Sequence, residues 1–467
     1  MNRPLPIKPI FVSWLLVVPL LAGCAVFQPT PADSPSMLPG RLAVHDNGRS
    51  HGVRADLPSG PLTIKQALAI AITNNPDIVA SKWDIEAARA HKRYESSGYW
   101  PSLSINAAYR HNWHEERLVP ARNQGLDATF THDIFAGDLV LSIPLISGGR
   151  VMSAVAEADL MARASACRLA RTKEELIFNV KSTFYSILGQ IKMLEALEHS
   201  RMALDEHLQM TEALVAARKA AKVDLLNIEV RLAELNHRMV KQQGMVEISK
   251  RFLASLLGIE AIPEDGVMIE GKLSAGQKTP DSGQILSTVI ETRQDMAEFV
   301  LQIQAQAKRV DIARAAYWPI LSAKGTYGGR ASAQGDYDDL GFAGIDLALP
   351  FFNGLSTIAR VEEEQAKLQA LRERKRKLAL GIRREVESAL IQMRTATSQV
   401  NATEKAIAKA EESLRIAREM TALGHGTAMD VLDAQAALLN AETRYFGALV
   451  DLHTSIALLN FTTGTTT

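Results

Sequence analysis

The chain has 467 residues, 52 Lys and Arg against 52 Asp and Glu, and only 6 % aromatics. Zero formal charge with scattered basic residues argues against nucleic acid as a partner, and so few aromatics argue against ordinary packed globular cores. Ala, Leu, Glu, Lys, Arg and Gln dominate the long runs, a composition suited to extended helices. No phosphate loop, nucleophile elbow, CxxC or HExxH occurs, so the sequence assigns no catalytic residue, no cofactor and no metal site.

Arg3 and Lys8 precede the apolar stretch Phe11–Leu21, too short to span a bilayer as a mature helix. It ends in Leu21-Ala22-Gly23-Cys24, which resembles the bacterial lipobox. Residues 1–23 are therefore expected to be a lipoprotein signal peptide. Cys24 becomes the first residue of the mature chain and carries palmitate-type acyl chains. Ala25 rather than Asp follows it, which by analogy points to the outer membrane. Several acyl chains anchor stably where one does not. Residues 24–61 bear Pro, Gly and Ser without apolar periodicity and read as a flexible tether. Cys167, the other cysteine, lies mid-helix and reads as an inert thiol.

Leu62–Ile72 is amphipathic, with Thr63 as N-cap. Asn74-Asn75-Pro76 breaks it, and a second helix runs to about Ser97, where Gly98 and Pro101 stop it. The period then switches to two. Leu103, Ile105, Ala107, Tyr109, His111 and Trp113 alternate with Ser102, Ser104, Asn106, Arg110 and Asn112; Gly137, Leu139, Leu141 and Ile143 follow after a polar loop. Further on, Leu321, Ala323, Gly325 and Tyr327 precede Ala343, Ile345, Leu347 and Leu349. These are two β-hairpins with strands near ten residues, apolar on one face and polar on the other, as in a membrane barrel. Four strands cannot close a barrel, and open edges are not tolerated in lipid, so several chains must pool strands. Pro144 and Pro350 are expected to end the ladders. Tyr99-Trp100 and Tyr317-Trp318 flank the strand starts; helix-to-strand packing is favoured over an interfacial belt. His111, His114, Glu115, Glu116, His132 and Asp133 gather near the first hairpin loop, yet their spacing matches no defined metal site.

Each hairpin leads into a proline-free run, Leu145–Ile262 and Phe351–Thr467. In the second, Val386, Met393, Val400, Ile407 and Leu414 recur every seven residues, with Ala389, Ala396, Thr403, Ala410 and Ala417 between them. This is a coiled-coil seam, bulky at one position and small at the other. The descending arm repeats it with Leu438, Ala441, Tyr445, Ala448 and Leu452. An arm of about 70 residues reaches roughly 100 Å, so it must project. An offset of 206 carries Pro144, Gly148, Val180, Asp224 and Gly258 onto Pro350, Gly354, Val386, Asp430 and Gly464. An offset of 218 carries Asp77, Tyr99-Trp100-Pro101 and Tyr109 onto Asp295, Tyr317-Trp318-Pro319 and Tyr327. The chain is internally duplicated: residues 62–262 form the first repeat, 263–282 a linker and 283–467 the second.

Lipobox, two helices, hairpin, long helical hairpin and then the same again resembles the TolC-like outer-membrane efflux family, in particular its lipoprotein members. The most specific segment is Leu423-Gly424-His425-Gly426-Thr427-Ala428-Met429-Asp430-Val431-Leu432-Asp433. The resemblance implies a mainly α fold with membrane β: a long helical coiled-coil barrel plus a β-barrel shared between three chains. It implies a homotrimeric channel-tunnel in the outer membrane with a long periplasmic extension, the exit duct of a tripartite efflux or type I secretion system. Its partners would be a periplasmic adaptor, an inner-membrane pump and outer-membrane lipid. Asp430 and Asp433 match the family's tip aspartates and are expected to form an electronegative gate. Arg218, Lys219, Lys222, Asp224, Gly424 and Gly426 are the expected adaptor-contact tips. Lys219 and Lys222 are read as solvated, with pairing to Asp430 or Asp433 of the neighbouring hairpin as the alternative. Some relatives carry arginine where this chain has Gly426. The rival reading is a periplasmic coiled-coil scaffold or adaptor without a pore, which has no need of membrane-length alternating strands.

Overall fold

A computed structural model describes residues 60–120, 129–260, 267–274 and 289–465. Cys24, the expected signal peptide and nearly all of the tether lie outside these residues. Helix α1 (Ile64–Asn74) opens on a capping box in which Thr63 and Gln66 satisfy each other's backbone N–H groups. Asn75 then caps α2 (Pro76–Ser96), its Oδ1 accepting from the Asp77 N–H at 2.9 Å. Pro76 sits at the first helical position, where its missing N–H costs nothing.

Four strands follow the hairpin pattern: β1 (Ser102–Arg117), β2 (Phe130–Ile146), β3 (Ile320–Ser332) and β4 (Tyr337–Ala348). They form one antiparallel sheet in the order β1-β2-β3-β4. The strands hold 16, 17, 13 and 12 residues, longer than the ten expected. Their polar ends, such as Asn112–Arg117, stay in the sheet although the apolar alternation has stopped. Pro144 also stays in the ladder, opposite Ser322, instead of ending it. Pairing of β2 with β1 has already stopped at Ser142, so on that side Pro144 has no ladder bond to lose.

The long helices are α3 (Arg150–Ala216) and α6 (Ser356–Ala422), 67 residues each, so each runs about 100 Å. Each turns back as α4 (Lys222–Leu256) and α7 (Ala428–Thr463) respectively. Helix α3 packs between α4 and α7, and α7 packs on α6, so the lateral order is α4-α3-α7-α6. The seam residues Val386, Ala389, Met393, Ala396, Val400 and Leu414 are buried, as are Val180 and Ile187 of the first copy. The remaining helix α5 (Gln294–Arg314) lies against both α3 and α6, while α2 lies on α3.

Two arginines fasten the end of α7. Arg293, almost wholly buried, donates to Asp295 at 2.6 and 3.0 Å, to Glu385 at 2.9 Å and to the Thr462 carbonyl at 3.1 Å. Arg171 donates to the Phe461 carbonyl and stacks over its ring at 3.7 Å. The described part of the linker runs beside the first repeat: the Leu62 N–H donates to the Met268 carbonyl and the Glu270 N–H to the Leu62 carbonyl. Cys167 is half-buried, and desolvation pushes its thiol up, consistent with an inert side chain.

Candidate functional site

Two parts of the structure are the candidates for function: the wall formed by the sheet and the tips of the helical hairpins. Register fixes the two faces of the wall. Leu103, Ile105, Ala107 and Tyr109 stand opposite Leu141, Leu139, Gly137 and Phe135; these face Gly325, Tyr327, Gly329 and Ala331 in turn. Leu347, Ile345 and Ala343 complete the same face. The other face carries Ser102, Ser104, Asn106, Ser142, Asp138, Lys324, Thr326, Arg330 and Asp346. Arg330 bonds Asp138 in a fork at 2.8 and 3.0 Å, across the junction of the two hairpins. The apolar face remains open: Ile105, Tyr109, Ile345 and Leu347 are each more than half exposed.

Trp100 and Trp318 are 72 % and 63 % exposed and Tyr99 and Tyr317 about half exposed in the single chain, while the base of Trp318 lies against Gly148 at the strand-to-helix joint. Each tyrosine ends a 3-10 turn that closes the preceding helix, and each tryptophan is the residue after it. Trp100 and Tyr109 are nine residues apart, as are Trp318 and Tyr327, which at about 3.3 Å per residue spans roughly 30 Å of tilted strand. Two aromatic levels at that separation match the interfaces of a bilayer. At the far end His111 and Tyr109 both bond Asp133, at 2.7 and 2.8 Å, and His132 faces the Asn112 carbonyl. Among the described residues no three His, Cys, Asp or Glu side chains converge to hold a metal ion.

The second tip turns through Gly424, whose φ of 78° suits glycine. The N–H groups of His425 and Gly426 both donate to the Met420 carbonyl. A Cβ on Gly426 would stand 2.9 Å from Thr421 Oγ1 and 3.1 Å from its nitrogen, so a side chain there requires Thr421 to shift. Thr427 caps α7, and Asp430 closes the box: its Oδ2 accepts from the Thr427 N–H at 2.8 Å and from the hydroxyl at 2.7 Å. These two donors hold the Asp430 carboxyl below its usual range. Asp433, one turn on, is exposed, and its nearest cation is Arg231 of α4 at 3.7 Å.

At the first tip Lys219 and Lys222 make no ion pair among the described residues. Arg231, which sequence reasoning passed over, takes the place offered to them. It stands at the rim of a cleft between α3, α4 and α7 that Ser200, Leu204, Leu235, Leu432, Gln435 and Leu439 help to line. Four of these leucines share an apolar cluster with Ile228. The Gln435 amide donates to the Ser200 carbonyl at 3.3 Å, so apolar, polar and ionic contacts together fasten the two hairpins behind their tips. A signal was available: Arg231 lies seven residues beyond Asp224, the mate of Asp430 in the repeat. Asp224 accepts from the Ala221 N–H at 3.3 Å, whereas Ala221 has no side-chain oxygen and answers only with its carbonyl, which accepts from the Asp224 N–H at 3.1 Å.

A sequence model of the outer membrane efflux protein family matches residues 67–259 and 285–465. Nodulation protein T of Rhizobium leguminosarum bv. trifolii is 22 % identical over 457 residues, covering 95 % of both chains. The toluene efflux pump outer membrane protein TtgC of Pseudomonas putida is 21 % identical over 393 residues, covering 82 % of this chain and 79 % of that one. Among solved structures the Campylobacter jejuni CmeC outer membrane channel superposes with a TM-score of 0.71 at 16 % identity, covering 86 % of this chain and 85 % of that one.

Proposed function

The chain belongs to the outer membrane efflux protein family, and on that footing we propose that three copies close into the exit duct of a tripartite efflux or type I secretion assembly. The duct is a passive, water-filled path and not an enzyme. The observation that carries this reading is the wall: apolar on one face, polar on the other, and open at both β1 and β4. An open edge in lipid has unsatisfied backbone groups, so the edges must meet other copies. The helices support the same closure. Leu226, Val230, Val240 and Ile248 lie exposed along one face of α4, and Leu380, Ile391, Ile416 and Met420 along one face of α6. These are the two outer helices of the lateral order, placed to meet between neighbouring copies.

The helical hairpins project from the sheet and reach across the periplasm. In the ring, Asp430 and Asp433 of three chains surround one constriction and form a cation-attracting gate. Asp433 is the freer carboxylate, held by Arg231, while Asp430 also builds the turn. Arg218, Lys219, Lys222, Asp224, Gly424 and Gly426 lie at the hairpin ends, where a periplasmic adaptor linked to an inner-membrane pump docks. Acylation of Cys24 adds a lipid anchor. Purified protein reconstituted into liposomes tests the reading: trimers should admit small neutral sugars and swell the vesicles. Folded trimers that leave the vesicles sealed to sugar, at tips opened by Asp433→Ala, would return the chain to the scaffold reading.

A further inference from the structure

The histidines at the end of the sheet away from the helices hold a geometry that their spacing along the chain does not show. His111 pairs with Asp133 and Glu116 with Thr131, so residues 112–115 of β1 stand against His132 alone. Bulges of this kind bend a strand and re-aim its side chains. In a regular ladder His132 would point to the face opposite Asp133 and away from His111. Here the two imidazoles lie face to face, their centroids 6.2 Å apart and their planes 27° from parallel.

Each ring is held by one nitrogen and offers the other. His111 Nδ1 lies 2.7 Å from Asp133 Oδ1, which also accepts from the Tyr109 hydroxyl at 2.8 Å. An ionised carboxylate only accepts, so His111 Nδ1 carries the proton. His132 Nδ1 lies 3.1 Å from the Asn112 carbonyl, which likewise only accepts. Both neutral rings therefore leave Nε2 with a free lone pair. A carboxylate behind one imidazole and a backbone carbonyl behind the other are the partners that orient metal-binding histidines. Glu115 Oε1 stands 3.9 Å from His132 Nε2, too far for a hydrogen bond. An ion bonded at about 2.0–2.1 Å to each holds such atoms about 3.3 Å apart, so a small turn of Glu115 admits one between them. The same bond lengths set two imidazoles on one ion with centroids roughly 5–6.5 Å apart, a range that includes the separation of these two rings.

We infer that His111 and His132 form a binding site for a divalent transition-metal ion that imidazole prefers, zinc or copper, with Glu115 and water completing its shell. Two fixed ligands make this an open, exchangeable site and not a closed structural one. The two imidazoles are 56 % and 47 % exposed, so an ion reaches them from bulk solvent. The ligands come from both sides of the bulge, where the ladder has no pairs between His111 and Glu116. The ion replaces the missing cross-strand bonds and ties β1 to β2 at the rim of the sheet. A single chain supplies every ligand, so the site does not depend on the ring of copies.

Calorimetric titration of zinc into the full chain in detergent tests the site, with no histidine tag and with Cys167→Ala to remove a competing thiol. Wild type should bind zinc saturably at this site, and excess calcium, which takes oxygen ligands, should not displace it. His111→Ala and His132→Ala should each remove that binding; both side chains are about half exposed, so the variants keep the fold. Asp133→Asn leaves both ligands in place but loosens the His111 ring, and affinity should fall about tenfold. X-ray absorption of the zinc-loaded chain should show two imidazole nitrogens at about 2.0–2.1 Å. No saturable binding to wild type overturns the site. So does an undiminished titration in the His111→Ala/His132→Ala double variant, or an absorption spectrum without histidine. Loss of binding in His114→Ala but not in these two overturns the ligand set.

Discussion

At the end of the second helical hairpin, the chain turns through glycine at φ 78°, and Thr427 and Asp430 cap the returning helix reciprocally. At the end of the first, Arg218 takes the same left-handed turn at φ 58°, where a side chain is disfavoured, and Ala221 offers no side-chain capping oxygen. The two tips descend from one repeat but differ in local stability. The better-built tip bears Asp430 and Asp433, and the strained, basic one carries Arg218, Lys219 and Lys222. A constriction needs carboxylates held in place, and a docking surface tolerates adjustment.

The comparison can be broken most strongly at Gly426. Gly426→Arg must push Thr421 aside and should destabilise the second tip by about 1–3 kcal/mol, seen as faster amide exchange confined to residues 418–432. Thr427→Ala removes one half of the capping box and should cost about 1 kcal/mol by the same measurement. Arg218→Gly should act with the opposite sign, slowing exchange at the first tip by up to about 1 kcal/mol. Lys219→Glu with Lys222→Glu should leave conductance unchanged, because Arg231 is the cation beside Asp433. A smaller effect concerns acid. Burial and the nearby Arg418 hold His207 below the usual histidine range. The unfolded chain therefore binds this proton more readily, so the hairpin's stability is full above about pH 6.5 and falls as pH drops through that value. His207→Gln should flatten this dependence in thermal melts at pH 7.5 and 5.5.

Much of the fold was legible because period and repetition are properties of the chain itself. The seam Val386–Leu414 and the alternation Leu103–Tyr109 each announce a buried or lipid-facing stripe, and the two offsets tie the copies together. Strand ends were not legible, since β1 runs on past an irregularity after His111 and pairs again at Glu116 and Arg117 without burying a face. Pro144 was misread because its tolerance depends on which neighbour has already ended. The exposure of Trp100 and Trp318 in the single chain was not legible either, because local spacing does not reveal which side of a strand start is left uncovered. The tip aspartates came from resemblance, while Arg231 came only from geometry: it acts across two hairpins that are some 200 residues apart.

The most direct test of the account is the single-channel conductance of the purified trimer in planar bilayers, wild type beside Asp430→Ala/Asp433→Ala. Small, cation-selective openings that enlarge and lose selectivity in the variant are the result the account predicts. Openings of the same size and selectivity in both would contradict a gate at these tips.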